Sequence, residues 1–350
     1  MQTTIYDVAK KAGVGIGTVS RVINNSPQIS PKTRDKVRKV IKELKYQPSI
    51  MARGLARKST NTIACIVPSF TGYFYFELLN GVQKVISKKG YDLILYSVDL
   101  FDKKEEIFKR TIRERRVDGV LIISMTVSDT SAEKFIQSKL PLTLIDSFHK
   151  NLDSITIENR EGALIATRHL IKLGHKKLGM INGSLSSVPA RIRLDGFKEA
   201  LAESDITADE RFIVNTDISN NSEFLNNDGF NKAAGYRAMQ TILNENNNRP
   251  TAVFIASDIQ AVGAIRAIRE KGLRIPDDIA IVGFDDIELS EYLGLTTIHQ
   301  PMFEMGTLAA NRLTSKIAGT NSKDLKKVFS TKLVIRETCG ALNNNGNGIE

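Results

Sequence analysis

The 350-residue chain has little with which to do covalent chemistry. Its two cysteines, Cys65 and Cys339, are too few for a disulfide framework, and Cys65 sits in the apolar run I-A-C-I-V as a small hydrophobe. The four histidines (His149, His169, His175, His299) lack metal-ligand spacing, so no metal site is read. Gly13, Gly15 and Gly17 follow no strand and make no dinucleotide loop, and neither G-x-S-x-G nor C-x-x-C occurs. An enzyme, such as a sugar kinase or dehydrogenase with a basic extension, would need a phosphate loop or a catalytic constellation; neither is found. No apolar run approaches the ~18 residues of a membrane span, and the N-terminus has no signal-peptide core, which argues against a secreted sugar-binding transport protein. The expectation is a cytoplasmic protein that is not an enzyme, needs no cofactor and has no membrane partner.

The body also lacks net charge. Residues 1–60 hold 13 Lys and Arg against Asp7, Asp35 and Glu43, a balance of +10, which is the whole chain's net charge. Residues 61–350 therefore carry 36 charges of each sign. A cationic head on a neutral body points to a polyanion partner for the head and another task for the body.

Residues 4–46 read as three short helices. Thr4 caps the first with Asp7 three residues on, and Ile5, Val8, Ala9 and Ala12 form one apolar face. Gly13-Val14-Gly15 makes a tight turn into a second helix from about Gly17 to Asn24, with Val19, Val22 and Ile23 inward. Ser30 caps a third, with Pro31 in its favoured first position. Two helices joined by a Gly-containing turn, completed by a third, is the helix-turn-helix plan, whose second helix enters the major groove. Its exposed side holds Ile16, Gly17, Thr18, Ser20, Arg21 and Asn24. Arg21 suits a bidentate contact to guanine and Ile16 a thymine methyl, whereas Thr18, Ser20 and Asn24 suit phosphate oxygens. A basic three-helix domain that binds an acidic protein is the alternative.

From residue 62 apolar strand-length runs alternate with helical patterns: T-I-A-C-I-V, Y-D-L-I-L-Y-S, D-G-V-L-I-I-S, L-T-L-I-D, then K-L-G-M-I-N, T-A-V-F-I-A-S and I-A-I-V-G-F. Such runs indicate parallel sheets covered on both faces, and some 280 residues of them indicate two α/β lobes. The Asn-rich stretches 215–231 and 244–249 read as surface loops and 341–350 as a frayed tail. Open parallel lobes bind ligands beyond the carboxyl ends of their strands, where Asp146, Ser257, Asp258, Asp285 and Asp286 stand.

The segments T-I-Y-D-V-A-x-x-A-G-V-x-x-x-T-V-S-R-V-I-N and T-R-x-K-V-x-x-x-I-x-x-L-x-Y-x-P resemble the head of the lactose-repressor (LacI/GalR) family of bacterial transcription regulators, and the resemblance runs from Thr4 to about Gly340. It implies a repressor that binds pseudo-palindromic double-stranded operator DNA as a homodimer, under control of a small-molecule effector, of sugar type. Thr4 and Tyr6 join the DNA-facing set by this resemblance, and Ile16 and Gly17 take the operator-choosing positions. Gly15 stands where the family often has a serine cap. Residues 46–58 match the family's hinge, which implies that Leu55 wedges into a minor-groove step, with Ser49, Ala52 and Arg53 beside it. Ser49 in place of the usual Asn, together with Gly54, points to a hinge that folds only on operator.

The same resemblance implies a body like a periplasmic sugar-binding protein, with three crossover strands and effector in the cleft. R-x-x-G-F places Arg193 there, S-D-I-Q-A-V-G-A-I places Ser257 where Asn is common, and V-G-F-D-D places Asp285. Arg and Asp on adjacent oxygens suit a polyol. Phe74 and Tyr75, in F-T-G-Y-F-Y-F, either cover a sugar or purine ring or pack the core or a dimer; Asn159 and Glu161 at the first crossover are further candidates. The expected fold is thus a small all-α helix-turn-helix head (1–46), a hinge (47–60) and a two-lobed α/β body (61–340) built on two parallel doubly wound sheets. The N-lobe takes about 61–159 and 290–320, the C-lobe about 160–289 and 321–340, and 341–350 is the tail. The runner-up reading is a global regulator of catabolite-control type whose body answers to a phosphoprotein.

Overall fold

The computed structural model describes residues 3–46, 59–68, 72–98, 104–216, 226–245, 248–320 and 324–342. The hinge positions Ser49, Ala52, Arg53 and Leu55, and the tail from residue 343, lie outside the described residues. The chain divides into two compact units, residues 1–62 with 115–118 and residues 63–114 with 119–350.

The first unit contains α1 (Ile5–Ala12), α2 (Ile16–Ile23) and α3 (Pro31–Glu43). Thr4 and Asp7 form a reciprocal capping box on α1, and Gly13, at φ 60°, closes that helix with a left-handed turn. Ser30 caps α3 by accepting from the Thr33 amide, with Pro31 next. Gly15 offers α2 no side-chain cap. Val8, Ala9, Ala12, Val19, Val22, Val37, Val40 and Tyr46 make the core, so α2 is held by two valines and turns its other face outward.

The second unit holds two six-stranded sheets. The N-lobe elements are β1 (Thr62–Val67), α4 (Tyr73–Lys88), β2 (Asp92–Ser97), α5 (Lys104–Glu114), β3 (Gly119–Ile123), α6 (Asp129–Ser138), β4 (Leu142–Ile145) and β5 (Asp153–Ile157). The C-lobe follows with α7 (Asn159–Lys172), β6 (Leu178–Asn182), α8 (Val188–Ala202), β7 (Ile213–Asn215), α9 (Lys232–Leu243), β8 (Ala252–Ile255), α10 (Asp258–Glu270), β9 (Ala280–Asp285), α11 (Glu288–Tyr292) and β10 (Thr297–His299). The chain then returns through α12 (Met302–Ile317) and β11 (Lys326–Phe329) to β12 (Lys332–Val334), followed by a 3-10 turn at Glu337–Cys339. Strand order is β11-β5-β4-β3-β1-β2 in one sheet and β12-β10-β9-β8-β6-β7 in the other. The assigned pairs are parallel, except that β12 runs antiparallel to β10.

The chain therefore crosses between sheets after β5, after β10 and after β11. The second and third crossings come later than the expected boundaries at 290 and 321. β10 is in register with β9 through Ile298 and Phe284, and β11 with β5 through Val328 and Thr156. β10, β11 and β12 are three or four residues long, too short for an apolar run to mark them.

Helices pack closely where glycines let backbones meet. A Cβ on Gly81 of α4 would strike the Phe303 carbonyl of α12, and one on Gly306 of α12 would strike the Leu78 carbonyl of α4. Gly235 and Gly263 do the same for α9 and α10. Gly81→Ala should destabilise the body by about 2 kcal/mol, since well-packed backbones must separate to admit the methyl group. Scanning calorimetry should find a melting temperature lower by about 4–8 °C. An unchanged melting temperature would mean that the two helices part without cost.

Candidate functional site

The exposed face of α2 is the first site. Val19 and Val22 are buried, which leaves Ile16, Gly17 and Arg21 exposed and Thr18, Ser20 and Asn24 half-buried along one side. Ile16 is 41% exposed, an apolar side chain held in solvent at the helix start. Tyr6 on α1 is also exposed, whereas the Thr4 hydroxyl is engaged in its cap with Asp7. That contact holds the Asp7 carboxyl below its usual range. Two of the head's cations have structural work that the charge count hides: Arg34 donates to the Ser26 carbonyl at 2.7 Å and Arg38 to Asn25 at 3.0 Å. Both brace the loop that follows α2.

The second site lies in the body, at the carboxyl ends of its strands. Ser124 follows β3, Asp146 follows β4, Ser257 follows β8, Asp285 ends β9 and Gln300 follows β10. All five line one cleft, with Tyr73, Phe74 and Tyr75 of α4, Arg193 of α8, Asp228 and Phe230. The space they enclose, open solvent at its mouth included, is about 590 Å³. Non-glycine residues turn left-handed at these strand ends: Ser124 and Asp146 at φ 51°, Asp285 at φ 127° and Asp286 at φ 60°. Such conformations cost energy and cluster at ligand sites.

Arg193 is the pivot of the cleft. It is 5% exposed, its guanidinium lies 3.7 Å from the centre of the Phe284 ring, and Nη1 is 3.9 Å from the Asp285 carboxylate. Nε donates to Asn159 Oδ1 at 2.8 Å and Nη1 to the Ala256 carbonyl at 2.5 Å. Burial lowers the Arg193 pKa against the pull of Asp285. Burial likewise pushes the Asp285 carboxyl up to about 8, despite Arg193 and the Gln300 amide that donates at 2.5 Å. Asp146, which accepts from Ser124 at 2.7 Å, is also raised by burial. Two buried atoms in the lining, Ser257 Oγ and Gln300 Oε1, have no hydrogen-bond partner among the described residues. Unpaired buried polar atoms are costly, so both are prepared for a ligand's groups or for water.

Six residues named from sequence thus meet in the cleft: Phe74, Tyr75, Asp146, Arg193, Ser257 and Asp285. Tyr75 both lines the cleft and belongs to the core, touching Phe74 edge-on at 5.2 Å. Asn159 stands behind the lining and orients Arg193. Glu161 is not brought to the cleft. It lines an outer hollow beside Ile192 and lies 3.8 Å from Arg168. Ser124, Asp228, Phe230 and Gln300 escaped the sequence reading. Ser124 and Gln300 obey the strand-end rule that found Asp146; Asp228 and Phe230 sit in the Asn-rich stretch read as a surface loop, and they point inward instead.

Comparison with known proteins matches residues 4–49 to bacterial regulatory proteins of the lacI family, and residues 167–339 to a periplasmic binding protein-like domain. The transcriptional regulator DegA of Bacillus subtilis (strain 168) is 35% identical, covering 98% of this chain and all of its own. The ribose operon repressor of Haemophilus influenzae is 36% identical, covering 97% of this chain and 99% of its own. The lac repressor dimer bound to operator and the anti-inducer ONPF superimposes with a TM-score of 0.80 at 29% identity, over 97% of this chain and 99% of that one.

The raised Asp285 pKa sets a sign for stability against pH. The folded chain holds this proton to about pH 8, while the unfolded chain releases it near 3.8. Between those values the native state binds more protons, so stability falls as pH rises, by up to about 1.4 kcal/mol per pH unit. Asp285→Asn should flatten that fall between pH 5 and 8 in urea melts. A slope equal to that of the parent would remove Asp285 as its source.

Proposed function

The chain belongs to the lacI family of bacterial regulatory proteins, and from that premise we propose a dimeric repressor whose grip on operator is set by a sugar-type effector in the body's cleft. Heads of two chains read the half-sites of a pseudo-palindrome, because a two-fold dimer matches a two-fold site. Ile16 and Arg21 read bases, Thr18, Ser20 and Asn24 set register on phosphates, and Tyr6 and Thr4 flank them. Leu55 is the minor-groove wedge, with Ser49, Ala52 and Arg53 at its sides. A second copy is supported by β2, an edge strand that leaves Ile94 and Leu95 37% and 39% exposed, and by Phe76 on α4, 61% exposed. Apolar side chains on an open sheet edge invite pairing.

The observation that carries the effector reading is the cleft's chemistry. Arg193 and Asp285 converge at strand ends beside Ser257 and Gln300, whose unpartnered atoms await hydroxyl groups. Among the described residues no helix is long and apolar enough to cross a membrane, and none forms a His, Cys, Asp and Glu cluster fit for a metal.

The test is operator binding by the full-length chain. Duplexes selected from a random pool should contain an inverted repeat, and a panel of sugars should include one that changes their affinity by at least about tenfold, within the usual range of allosteric coupling. A panel that moves nothing would redirect the reading to a phosphoprotein partner. Arg21→Ala should weaken binding by about 1–3 kcal/mol and relax preference at one base pair per half-site. A uniform loss over all sequences would make Arg21 a phosphate contact. Leu55→Ala should reduce operator affinity far more than non-specific affinity, and equal losses would remove the wedge.

A further inference from the structure

The described lining of the cleft carries three carboxylates, Asp146, Asp228 and Asp285, against one cation, Arg193. Asp285 lies beside that cation but keeps its proton to about pH 8, so at neutral pH Asp146 and Asp228 are the carboxylates set against Arg193, whose Nε and Nη1 are already bound to Asn159 and Ala256. Arg193 also attracts Asp146, so among the described lining residues it is Asp228 that has no cationic partner. Asp146 accepts from the Ser124 hydroxyl, and Asp228 is bonded to Ser187. Lys104 attracts Asp228 from outside the lining, where its ammonium is anchored on the Thr126 carbonyl at 3.0 Å and hydroxyl at 3.3 Å. Asp146 comes from the N-lobe and Asp228 from the C-lobe, and each is raised by burial.

Asp228 is held in place by the architecture around it. Its carbonyl accepts from the Ser184 amide at 2.8 Å, and the buried Gln260 amide donates to the next carbonyl, Gly229, at 3.0 Å. Gly229 is at φ 80°, and a Cβ there would strike Thr216, so this close turn requires glycine. The remaining demand of the cleft is for donors. Gln300 Oε1 accepts, as do the ionised carboxylates, while Ser257 Oγ and the protonated Asp285 can do either. A ligand hydroxyl both donates and accepts; a phosphate dianion only accepts, and adds negative charge to a site already short of cations.

We propose that this cleft selects an uncharged polyhydroxyl ligand over its phosphorylated form, and that Asp228 is a specificity-determining residue for that choice. The proposal rests on the reading of the cleft as an effector site. It assigns Arg193 to the architecture of the pocket, holding Asp285 and a ligand hydroxyl, and not to an anion.

The chain has no tryptophan, so calorimetric titration of the full-length protein is the direct measurement. The probes are ribose, glucose and galactose, each against its 5- or 6-phosphate ester, with glucosamine as the cationic comparison. At least one parent sugar should bind, with its ester at least about tenfold weaker, or about 1.4 kcal/mol. Asp228→Asn should lower that ratio at least threefold, with Asp146→Asn as the second variant if the first melts early. An ester that binds as well as its parent, or a ratio unmoved in the folded variants, would each overturn the proposal while leaving a sugar cleft in place. Silence across all probes would instead overturn the effector reading, and the proposal with it.

Discussion

Burying the guanidinium of Arg193 is the constraint on which the sensing body is organised. An ion withdrawn from water needs a counter-charge and a partner for its protons, or the fold loses several kcal/mol. Here the four partners come from three elements: Asn159 at the start of α7, Ala256 after β8, and Phe284 and Asp285 at the end of β9. Each is drawn to the same point, which fixes the register of α8 against the carboxyl edge of the sheet. The left-handed backbone at Asp285 follows from the same demand, because the strand must turn sharply to present both the ring and the carboxylate.

Asp258 supports this corner from behind. It is fully buried, and its carboxylate accepts from the Asp286 and Ile287 amides and from the Ser290 and Thr297 hydroxyls, the latter two at 2.6 Å. The N-terminus of α10, the bend after β9, α11 and the first residue of β10 thus share one acceptor. Asp286, freed to face the other way, pairs with Arg336 at 2.8 Å and His299 at 2.9 Å. The two adjacent aspartates therefore divide the work, one for the cleft and one for the junction with β10 and the chain's last turn.

How much of this the sequence disclosed depended on the length of each signal. Long apolar runs announced β1, β2, β3, β4, β6, β8 and β9, and the strand-end rule then placed Asp146, Ser257 and Asp285. β5, D-S-I-T-I, was hidden by Asp153, a buried carboxylate held by Arg312 at 2.7 Å and Lys316 at 2.8 Å, partners 159 and 163 residues away. β11 and β12 have exposed lysines and too few residues for alternation to emerge. Asp228 was illegible for another reason: polar, Asn-rich composition describes a surface loop well, and only tertiary bonds from Ser184 and Gln260 turn this one inward. The head was legible because caps, turn glycine and apolar spacing agree over 43 residues. Its loop-bracing arginines were not, since nothing local separates them from cations left free for phosphate.

The topology places residues of the cleft, or residues that hold them, beside two of the three passages between the lobes. Gln300, whose amide holds Asp285 and whose oxygen is unpartnered, is followed by Pro301 and then by α12 in the N-lobe. Asn159, which holds Arg193, follows the first passage directly. A ligand that binds Asp285 and Gln300 together thus acts on a residue whose backbone continues into the other lobe, without an intervening flexible segment. Small adjustments in a close-packed interior are passed on and not absorbed, because reciprocal glycine contacts such as Gly81 with Phe303 and Gly306 with Leu78 leave α4 and α12 no slack. The same α4 carries Tyr73, Phe74 and Tyr75 into the cleft and Phe76 onto the exposed surface. The aromatic lining of the cleft, a lobe passage and the exposed Phe76 are therefore properties of one helix pair.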